Sequence, residues 1–284
     1  MLSGILDAFV CDGFNLAAIW FTHWNLLPLS LRAKYGALNS KIKIGAVSYL
    51  NTKPLLYGIE HSDIIRDIEI ILDYPALLAK KLQEGIIDMA LLPVAAIPTI
   101  PGAHIVSDYG IATDGNVVSV AIFSQVPMEQ IETVYLDYQS RTSVRLAQLL
   151  IENHWKKKVV YKPATENFIE YINGANAGVI IGDRALKQLT NFEYVYDLSA
   201  AWKEYTGLDF IFAAWVANKA LPAGFTTRFN AANAEGLKHL DAVIAENPFP
   251  CYDLYTYYTD NIKFYLDEQK KKGLEKFLEL IKST

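Results

Sequence analysis

The sequence predicts an α/β protein in which strands and helices alternate from residue 41 onward. Runs such as Ile87–Leu92 are apolar throughout, except for Asp88, as expected of a parallel strand covered on both faces. Between these runs lie segments with apolar residues at helical spacing, several of them opened by a proline or a hydroxyl residue. The chain has 284 residues, of which 52% are hydrophobic, and this suits one large or two medium cores.

The predicted elements follow from these signals in chain order. Pro54 and Pro75 suit the first turn of a helix, Ser140 and Thr165 suit helix caps, and Leu274 begins an i, i+3, i+4, i+7 apolar stripe. Strands are predicted at Lys41–Val47, Ile68–Leu72, Ile87–Leu92, Ile105–Ser107, Val117–Phe123, Thr133–Leu136, Val159–Tyr161, Ala177–Ile181, Tyr194–Tyr196 and Phe210–Val216. Helices are predicted over residues 54–59, 75–84, 140–154, 166–173, 184–189, 228–245 and 253–258, with a helical turn at Trp202 and a last helix through Ile281. This alternation fits one doubly wound sheet as well as two lobes.

Composition and charge exclude several classes of function. The net charge is −5, and the basic triplets at 156–158 and 270–272 are typical of solvated helix ends or turns, so no nucleic-acid partner is expected. Cys11 and Cys251 form no C-x-x-C pattern, which fits a reducing compartment. The five histidines show no metal-ligand spacing, and we expect no metal. The oligomeric state is not indicated.

The first forty residues differ from the rest. Residues 13–31 are uncharged and reach the length of a membrane span, but they include Asn15, His23, Asn25 and Pro28. Neither a stable membrane insertion nor a cleavable signal peptide is expected, and a cytoplasmic location follows. We treat residues 1–40 as an extension, or as translation from a start codon upstream of the true one.

The segment Gly45–Leu55 is the first candidate site. It reads Gly-Ala-Val-Ser-Tyr-Leu-Asn-Thr-Lys-Pro-Leu, a strand followed by a polar turn and a helix. Free N–H groups and the helix dipole favour an anion at such a point. Ser48, Asn51 and Thr52 are therefore candidate ligand contacts, with a capped helix that binds nothing as the alternative.

The segment Asp137–Ser143 is the second candidate. Ser140 and Thr142 offer hydroxyls beside a helix amino end, and Arg141 can bind a carboxylate through two hydrogen bonds. A helix cap with a surface arginine explains the same residues. If both segments face one cleft, a small dianion is the ligand they favour. Weaker candidates are Tyr49, which can cover a ring, and Asp114, Asp183 and Gly207, which follow strands or precede a return strand.

No cofactor motif occurs in the sequence. It contains no P-loop, no G-x-G-x-x-G and no G-x-S-x-G nucleophile elbow. We therefore expect no cofactor.

Several segments together resemble the chorismate dehydratases of the futalosine route to menaquinone. The resemblance includes Ser48-Tyr49-Leu50-Asn51-Thr52-Lys53-Pro54-Leu55 and extends over roughly residues 41–282. The other matching segments are Asp88-Met89-Ala90-Leu91-Leu92-Pro93-Val94-Ala95, Tyr135-Leu136-Asp137-Tyr138-Gln139-Ser140-Arg141-Thr142-Ser143, Gly178-Val179-Ile180-Ile181-Gly182-Asp183 and Thr206-Gly207-Leu208. The resemblance implies the two-lobed periplasmic-binding-protein-like fold of type II, with a cleft between lobes. Residues 41–125 plus 210–284 would form lobe one, and residues 126–209 lobe two.

The same resemblance implies an activity. The family removes water from chorismate to give 3-[(1-carboxyvinyl)oxy]benzoate, and its catalytic asparagine matches Asn51. One departure concerns the family's serines after the third strand, where this chain has Pro93-Val94-Ala95 and no hydroxyl. Asp114, Asp137, Asp183 and the substrate's own enolpyruvyl carboxylate are the candidate general bases. Two alternatives remain: a non-catalytic small-anion binding protein of the same fold, and the sister 1,4-dihydroxy-6-naphthoate synthase.

Overall fold

Two β-sheets organise the protein, whose computed structural model describes residues 41–282. The predicted extension over residues 1–40 lies outside the described residues. Eleven strands occur within residues 41–282: β1 (Ile42–Ala46), β2 (Ile68–Leu72), β3 (Met89–Pro93), β4 (His104–Thr113), β5 (Val120–Ser124), β6 (Thr133–Leu136), β7 (Val160–Pro163), β8 (Asn176–Ile181), β9 (Tyr194–Asp197), β10 (Phe210–Ala217) and β11 (Lys263–Tyr265).

The chain leaves the first sheet, builds the second, and returns. The six-stranded sheet has the order β11-β4-β10-β3-β1-β2, with β1 parallel to both β2 and β3, and β10 antiparallel to β3 and β4. The five-stranded sheet has the order β7-β6-β8-β5-β9, with β6 parallel to β7 and β8, and β5 antiparallel to β8 and β9. Strand β10 is the strand by which the chain re-enters the first sheet.

Helices follow most strands within the described residues. They are α1 (Lys53–Glu60), α2 (Pro75–Gln83), α3 (Arg141–Asn153), α4 (Gly182–Gln188), α5 (Leu198–Thr206), α6 (Phe225–Gly236), α7 (Leu240–Glu246), α8 (Leu254–Thr256) and α9 (Glu268–Lys282). Short 3₁₀ helices span Leu50–Thr52, Asp63–Asp67, Val94–Thr99, Met128–Gln130 and Phe168–Tyr171, and a π-helix spans Tyr257–Asn261.

Local sequence explains where the main helices begin. Pro54 lies in the first turn of α1 and Pro75 opens α2, positions where the missing proline N–H costs nothing. The predicted cap at Ser140 is confirmed, because its hydroxyl oxygen accepts the Ser143 N–H at 3.1 Å. At the carboxyl end of α5, Gly207 has φ 74°, a left-handed cap conformation that glycine adopts without strain.

Close packing against α6 fixes α1. A Cβ atom added at Gly58 would lie 2.0 Å from the Ala232 carbonyl oxygen, and one at Gly236 would lie 1.9 Å from the Pro54 carbonyl oxygen. Only glycine permits this approach of the two helix backbones. The contact holds the amino end of α1, and with it the turn that carries Asn51.

Several predicted elements differ from the structure. The run at residues 117–123 begins its strand only at Val120, because Val118 has φ 55° and cannot continue a pleated strand. The helix predicted over 166–173 is a single 3₁₀ turn, the helix predicted over 228–245 is divided into α6 and α7, and β11 was not predicted.

The chain passes from the first sheet to the second between β4 and β5. Strand β5 pairs with β8 and β9, so the chain enters the second sheet between Thr113 and Val120. Val118 lies in this connection, and its left-handed backbone prevents β5 from beginning before Val120. The division into lobes at residues 125 and 210 remains a prediction.

Candidate active site

A cavity with about 610 Å³ of empty space lies between the two sheets, and we call it the central cavity. Its walls are mostly apolar, with a few hydroxyl and amide groups and no charged side chain. The lining residues are Val47, Tyr49, Asn51, Thr52, Pro75, Leu91, Pro93, Ile111, Val117, Ser119, Val120, Gln139, Ser140, Ser143, Ile181, Gly182, Phe212 and Ala213.

The turn between β1 and α1 supplies Asn51. Its side-chain oxygen accepts a hydrogen bond from the Thr52 hydroxyl at 3.2 Å. Neither the 3₁₀ turn Leu50–Thr52 nor α1 has a side-chain cap hydrogen bond, so Asn51 does not cap the helix. Its amide group is therefore left to face the cavity that it lines.

The amino end of α3 supplies hydroxyls from the second sheet. Ser140 accepts the Ser143 N–H and donates to the Ser143 hydroxyl at 2.9 Å, and both residues line the central cavity. Thr142 is buried outside the lining, where its hydroxyl accepts the Ala95 N–H at 3.1 Å. The stretch Pro93-Val94-Ala95 thus contacts the first turn of α3 through the Ala95 N–H.

Side chains bridge the two sheets at the cavity wall. The Tyr49 hydroxyl donates to the Gln139 side-chain oxygen at 3.1 Å. Burial raises the pKa of Tyr49 to about 12, against the opposing charge of Arg184, so the phenol keeps its proton at neutral pH. A second bridge joins the Leu50 N–H to the Asp183 carboxylate at 3.1 Å.

The Asp183 side chain does not cap α4, although the residue follows a strand and stands at the beginning of a helix. Asp183 lies inside the first turn of α4, whose cap position is Ile181 and has no side-chain cap hydrogen bond. Its carboxylate instead accepts from Leu50, beside Asn51. Burial raises the pKa of the Asp183 carboxyl above its usual value.

Asp137 is occupied by an ion pair. Arg184 donates from Nη2 to both Asp137 oxygens, at 2.8 and 2.7 Å, while its guanidinium lies 5.3 Å from the centroid of the Tyr138 ring. Burial raises the pKa of the Asp137 carboxyl even though the Arg184 charge opposes the rise. Asp137 is therefore held behind the site as part of a pair and does not line the central cavity.

A second cavity adjoins the central one, and we call it the outer cavity. It has about 930 Å³ of empty space and shares Pro75, Pro93 and Gln139 with the central cavity. Arg141 is exposed and lines the outer cavity together with Glu166. The remaining lining residues are Tyr74, Ala76, Ala79, Ala96 and Tyr138.

The structure brings together only part of the predicted set. Tyr49, Asn51, Thr52 and Ser140 line the central cavity. Ser48 is exposed, and its hydroxyl accepts from the Lys53 ammonium at 3.0 Å. Asp114 is exposed 3.9 Å from the Lys263 ammonium, and Gly207 is an exposed helix cap. Thr142, Asp183 and Arg141 lie nearby but outside the lining.

Ser119 is a polar lining residue that sequence reasoning missed. It is fully buried, it lines the central cavity, and its hydroxyl oxygen accepts from the Tyr257 phenol at 2.8 Å. In the sequence it is a single hydroxyl within the apolar run 117–123, which is typical of a strand interior. The signal that distinguishes it, the left-handed backbone at Val118, is visible only in the structure.

The described residues contain neither a metal-binding cluster nor a helix able to cross a membrane. Within residues 41–282, no three His, Cys, Asp or Glu side chains stand close enough to hold a metal ion. Every helix in that part of the chain falls short of the length and apolar character needed to cross a bilayer.

The two sheets and the cavity between them define a class of small-molecule-binding fold. A solved structure from Candida albicans, described as exhibiting the generic periplasmic binding protein structural fold, superposes with a TM-score of 0.56 at 11% identity over 86% of this chain and 91% of that one. The periplasmic-binding-protein-like fold predicted from the sequence is thereby confirmed.

Sequence comparison identifies the family. The family model described as menaquinone biosynthesis matches residues 42–283, and the chain belongs to that family. The chain is 25% identical to the chorismate dehydratase of Thermus thermophilus over 265 residues, covering 84% of this chain and 94% of that protein. It is 27% identical to the chorismate dehydratase of Campylobacter jejuni over 174 residues, covering 58% and 76%. The resemblance to chorismate dehydratases is therefore confirmed.

Proposed function

We propose that the central cavity binds chorismate and eliminates water from it to give 3-[(1-carboxyvinyl)oxy]benzoate. The observation that supports this most is the position of Asn51, which lines a cavity between the two sheets without capping its helix. The chorismate dehydratase relatives add the substrate and the reaction. A cytoplasmic location and the absence of a cofactor remain parts of this proposal.

The cavity suits a small ring that carries anionic groups. Apolar side chains such as Leu91, Ile111 and Phe212 line it together with hydroxyl and amide groups. Residues at the amino ends of α1 and α3, Thr52 and Ser140, both belong to the lining. The positive dipole ends of these two helices favour the two carboxylates of chorismate, which compensates for a lining without a charged side chain.

The elimination breaks one C–H bond and the C–O bond on the neighbouring ring carbon, and the ring becomes aromatic. Aromatisation supplies the driving force, so the protein has to position the substrate and stabilise developing charge. In our proposal the Asn51 amide donates to the departing hydroxyl or to the enolpyruvyl carboxylate. Ser119 supplies the hydroxyl that Pro93-Val94-Ala95 lacks, because it is a buried hydroxyl in the same lining.

The general base in this proposal is the enolpyruvyl carboxylate of the substrate. None of the three candidate aspartates lines the central cavity. Asp137 is paired with Arg184, Asp183 accepts the Leu50 N–H, and Asp114 is exposed. The enolpyruvyl carboxylate of the bound substrate takes the ring hydrogen as a proton and passes it to the departing hydroxyl, so that water leaves and the carboxylate is regenerated.

Incubation of the purified protein with chorismate tests the proposal. We expect mass spectrometry to show a product lighter by one water that co-elutes with synthetic 3-[(1-carboxyvinyl)oxy]benzoate. Saturable chorismate binding without turnover would instead establish a binding protein. Absence of both binding and turnover of chorismate would contradict the proposal and leave the naphthoate synthase as the alternative.

A further inference from the structure

We infer that Tyr257 is a positioning residue for this reaction, because its hydroxyl donates to Ser119 and thereby directs the Ser119 hydrogen into the central cavity. The inference rests on the proposed function and adds a residue to it. Tyr257 does not line the cavity, so its effect has to pass through Ser119.

The direction of the hydrogen bond follows from the burial of Tyr257. Its side chain is fully buried, and the phenol oxygen lies 2.8 Å from the Ser119 hydroxyl oxygen. Burial raises the pKa of Tyr257, so the phenol keeps its proton, and among residues 41–282 Ser119 is the hydrogen-bond partner of this buried hydroxyl. The phenol therefore donates to Ser119, because its hydrogen would otherwise be buried without an acceptor. Ser119 is consequently the acceptor in this pair.

The Ser119 hydrogen is then free for a ligand. A serine hydroxyl carries one hydrogen, and within residues 41–282 no hydrogen bond uses it. The backbone of Ser119 is occupied separately, since its N–H donates to the Val117 carbonyl at 2.6 Å and its carbonyl accepts the Gly182 N–H at 2.7 Å. Because the Ser119 backbone is fixed and its hydroxyl oxygen already accepts from Tyr257, the Ser119 O–H bond points into the central cavity that the residue lines.

The surrounding backbone shows that this arrangement is specifically maintained. Val118 is a β-branched residue at φ 55°, a strained conformation that persists only where neighbouring contacts hold it. Its N–H donates to the Asp197 carboxylate at 2.7 Å, and Asp197 also caps α5. Tyr257 itself opens a π-helix, a distortion that occurs frequently at functional sites.

The same π-helix reaches the second polar residue of the site. The Tyr258 phenol donates to the Leu50 carbonyl at 3.1 Å, next to Asn51. One carboxyl-terminal segment therefore supports both Ser119 and the turn of Asn51, although these lie 68 positions apart in the sequence.

A double-mutant cycle in the full chain tests the inference, with Tyr257→Phe, Ser119→Ala and the double variant assayed on chorismate. We expect Tyr257→Phe to lower kcat by about tenfold, the usual consequence of one lost hydrogen bond, with little change in KM. Because Tyr257 acts through Ser119, adding it to Ser119→Ala should cause no further loss. The matched control is Tyr252→Phe, which removes a phenol that donates at 3.0 Å to Asn261 of the same π-helix, and it should keep wild-type kcat.

A rescue variant covers the case in which Ser119→Ala has no measurable activity. Replacing Tyr257 by 3-fluorotyrosine keeps the hydroxyl and should restore the kcat that phenylalanine loses. Wild-type kcat in Tyr257→Phe, losses that multiply in the double variant, or failure of fluorotyrosine to rescue would each overturn the inference while leaving the proposed function standing. A wild-type protein that does not convert chorismate would overturn the proposed function and this inference with it.

Discussion

Replacing Asn51 by aspartate separates a catalytic role from a structural one. The two side chains have the same shape, and aspartate keeps the oxygen that accepts from Thr52 at 3.2 Å. It removes the amide donor and adds a negative charge to a cavity that we propose binds a dianion. Asn51→Asp should therefore reduce turnover strongly while the fold stays intact.

The magnitudes differ enough to be decisive. Asn51 makes one side-chain hydrogen bond and caps no helix, so we expect the free energy of unfolding to change by less than about 1 kcal/mol. Loss of one donor to developing charge typically reduces kcat about 10²- to 10³-fold. Like charges 4 Å apart at an effective dielectric of 20 add about 4 kcal/mol of repulsion. Turnover should thus fall by at least about 10²-fold.

The assay is the initial rate of chorismate consumption, measured beside thermal unfolding of each protein. Asn167→Asp is the matched control, since it makes the same chemical change at an exposed residue without a cap hydrogen bond. Wild-type turnover by a folded Asn51→Asp protein would refute the catalytic role. Loss of activity together with loss of the folded state would refute the claim that Asn51 is structurally dispensable.

Three further predictions follow from burial, packing and charge. Arg141→Ala should lower kcat/KM by less than about tenfold, because solvent screens the exposed guanidinium in the outer cavity. The loss should be smaller at high salt, and a loss in kcat alone would contradict a screened contact with the substrate. Gly236→Ala should destabilise the protein by about 1–3 kcal/mol, because the added Cβ meets the backbone of α1. The control Gly115→Ala has open space around its Cβ and should not destabilise the protein. Equal melting temperatures of the two variants would contradict the packing of α6 against α1. Asp183→Asn keeps the acceptor for Leu50 and removes a carboxyl whose pKa is raised by burial, so the variant should be more stable than wild type at pH 7. The difference in free energy of unfolding should disappear as the pH falls through the raised pKa toward the unfolded value of about 3.9. A difference that grows on acidification would contradict burial as the cause of the raised pKa.

Local patterns were sufficient for the elements that depend on local chemistry. The strands at Ile68–Leu72 and Thr133–Leu136 have the predicted bounds, because each apolar run is delimited by polar or turn residues. The cap at Ser140 was predictable for the same reason, since the hydroxyl and the N–H it accepts are three residues apart. The order of residues along the chain was also enough to place Asn51, Thr52 and Ser140 at strand ends next to helix amino ends.

Long-range contacts account for what the sequence could not predict. Ser119 and Tyr257 are separated by 138 positions, and no periodicity relates them. Asp183 has the sequence context of a helix cap, yet its carboxylate accepts from a residue 133 positions away. The three-residue strand β11 exists because it pairs with β4, a contact that its own composition does not indicate.

A crystal structure of the protein with 3-[(1-carboxyvinyl)oxy]benzoate would show whether the central cavity is the active site. We expect the aromatic ring in the central cavity, between the apolar side chains of both sheets. The Asn51 amide and the Ser119 hydroxyl should lie within hydrogen-bonding distance of the ligand's oxygens or of a water at the vacated hydroxyl position. A ligand bound only in the outer cavity beside Arg141, with Asn51 and Ser119 out of contact, would contradict the account.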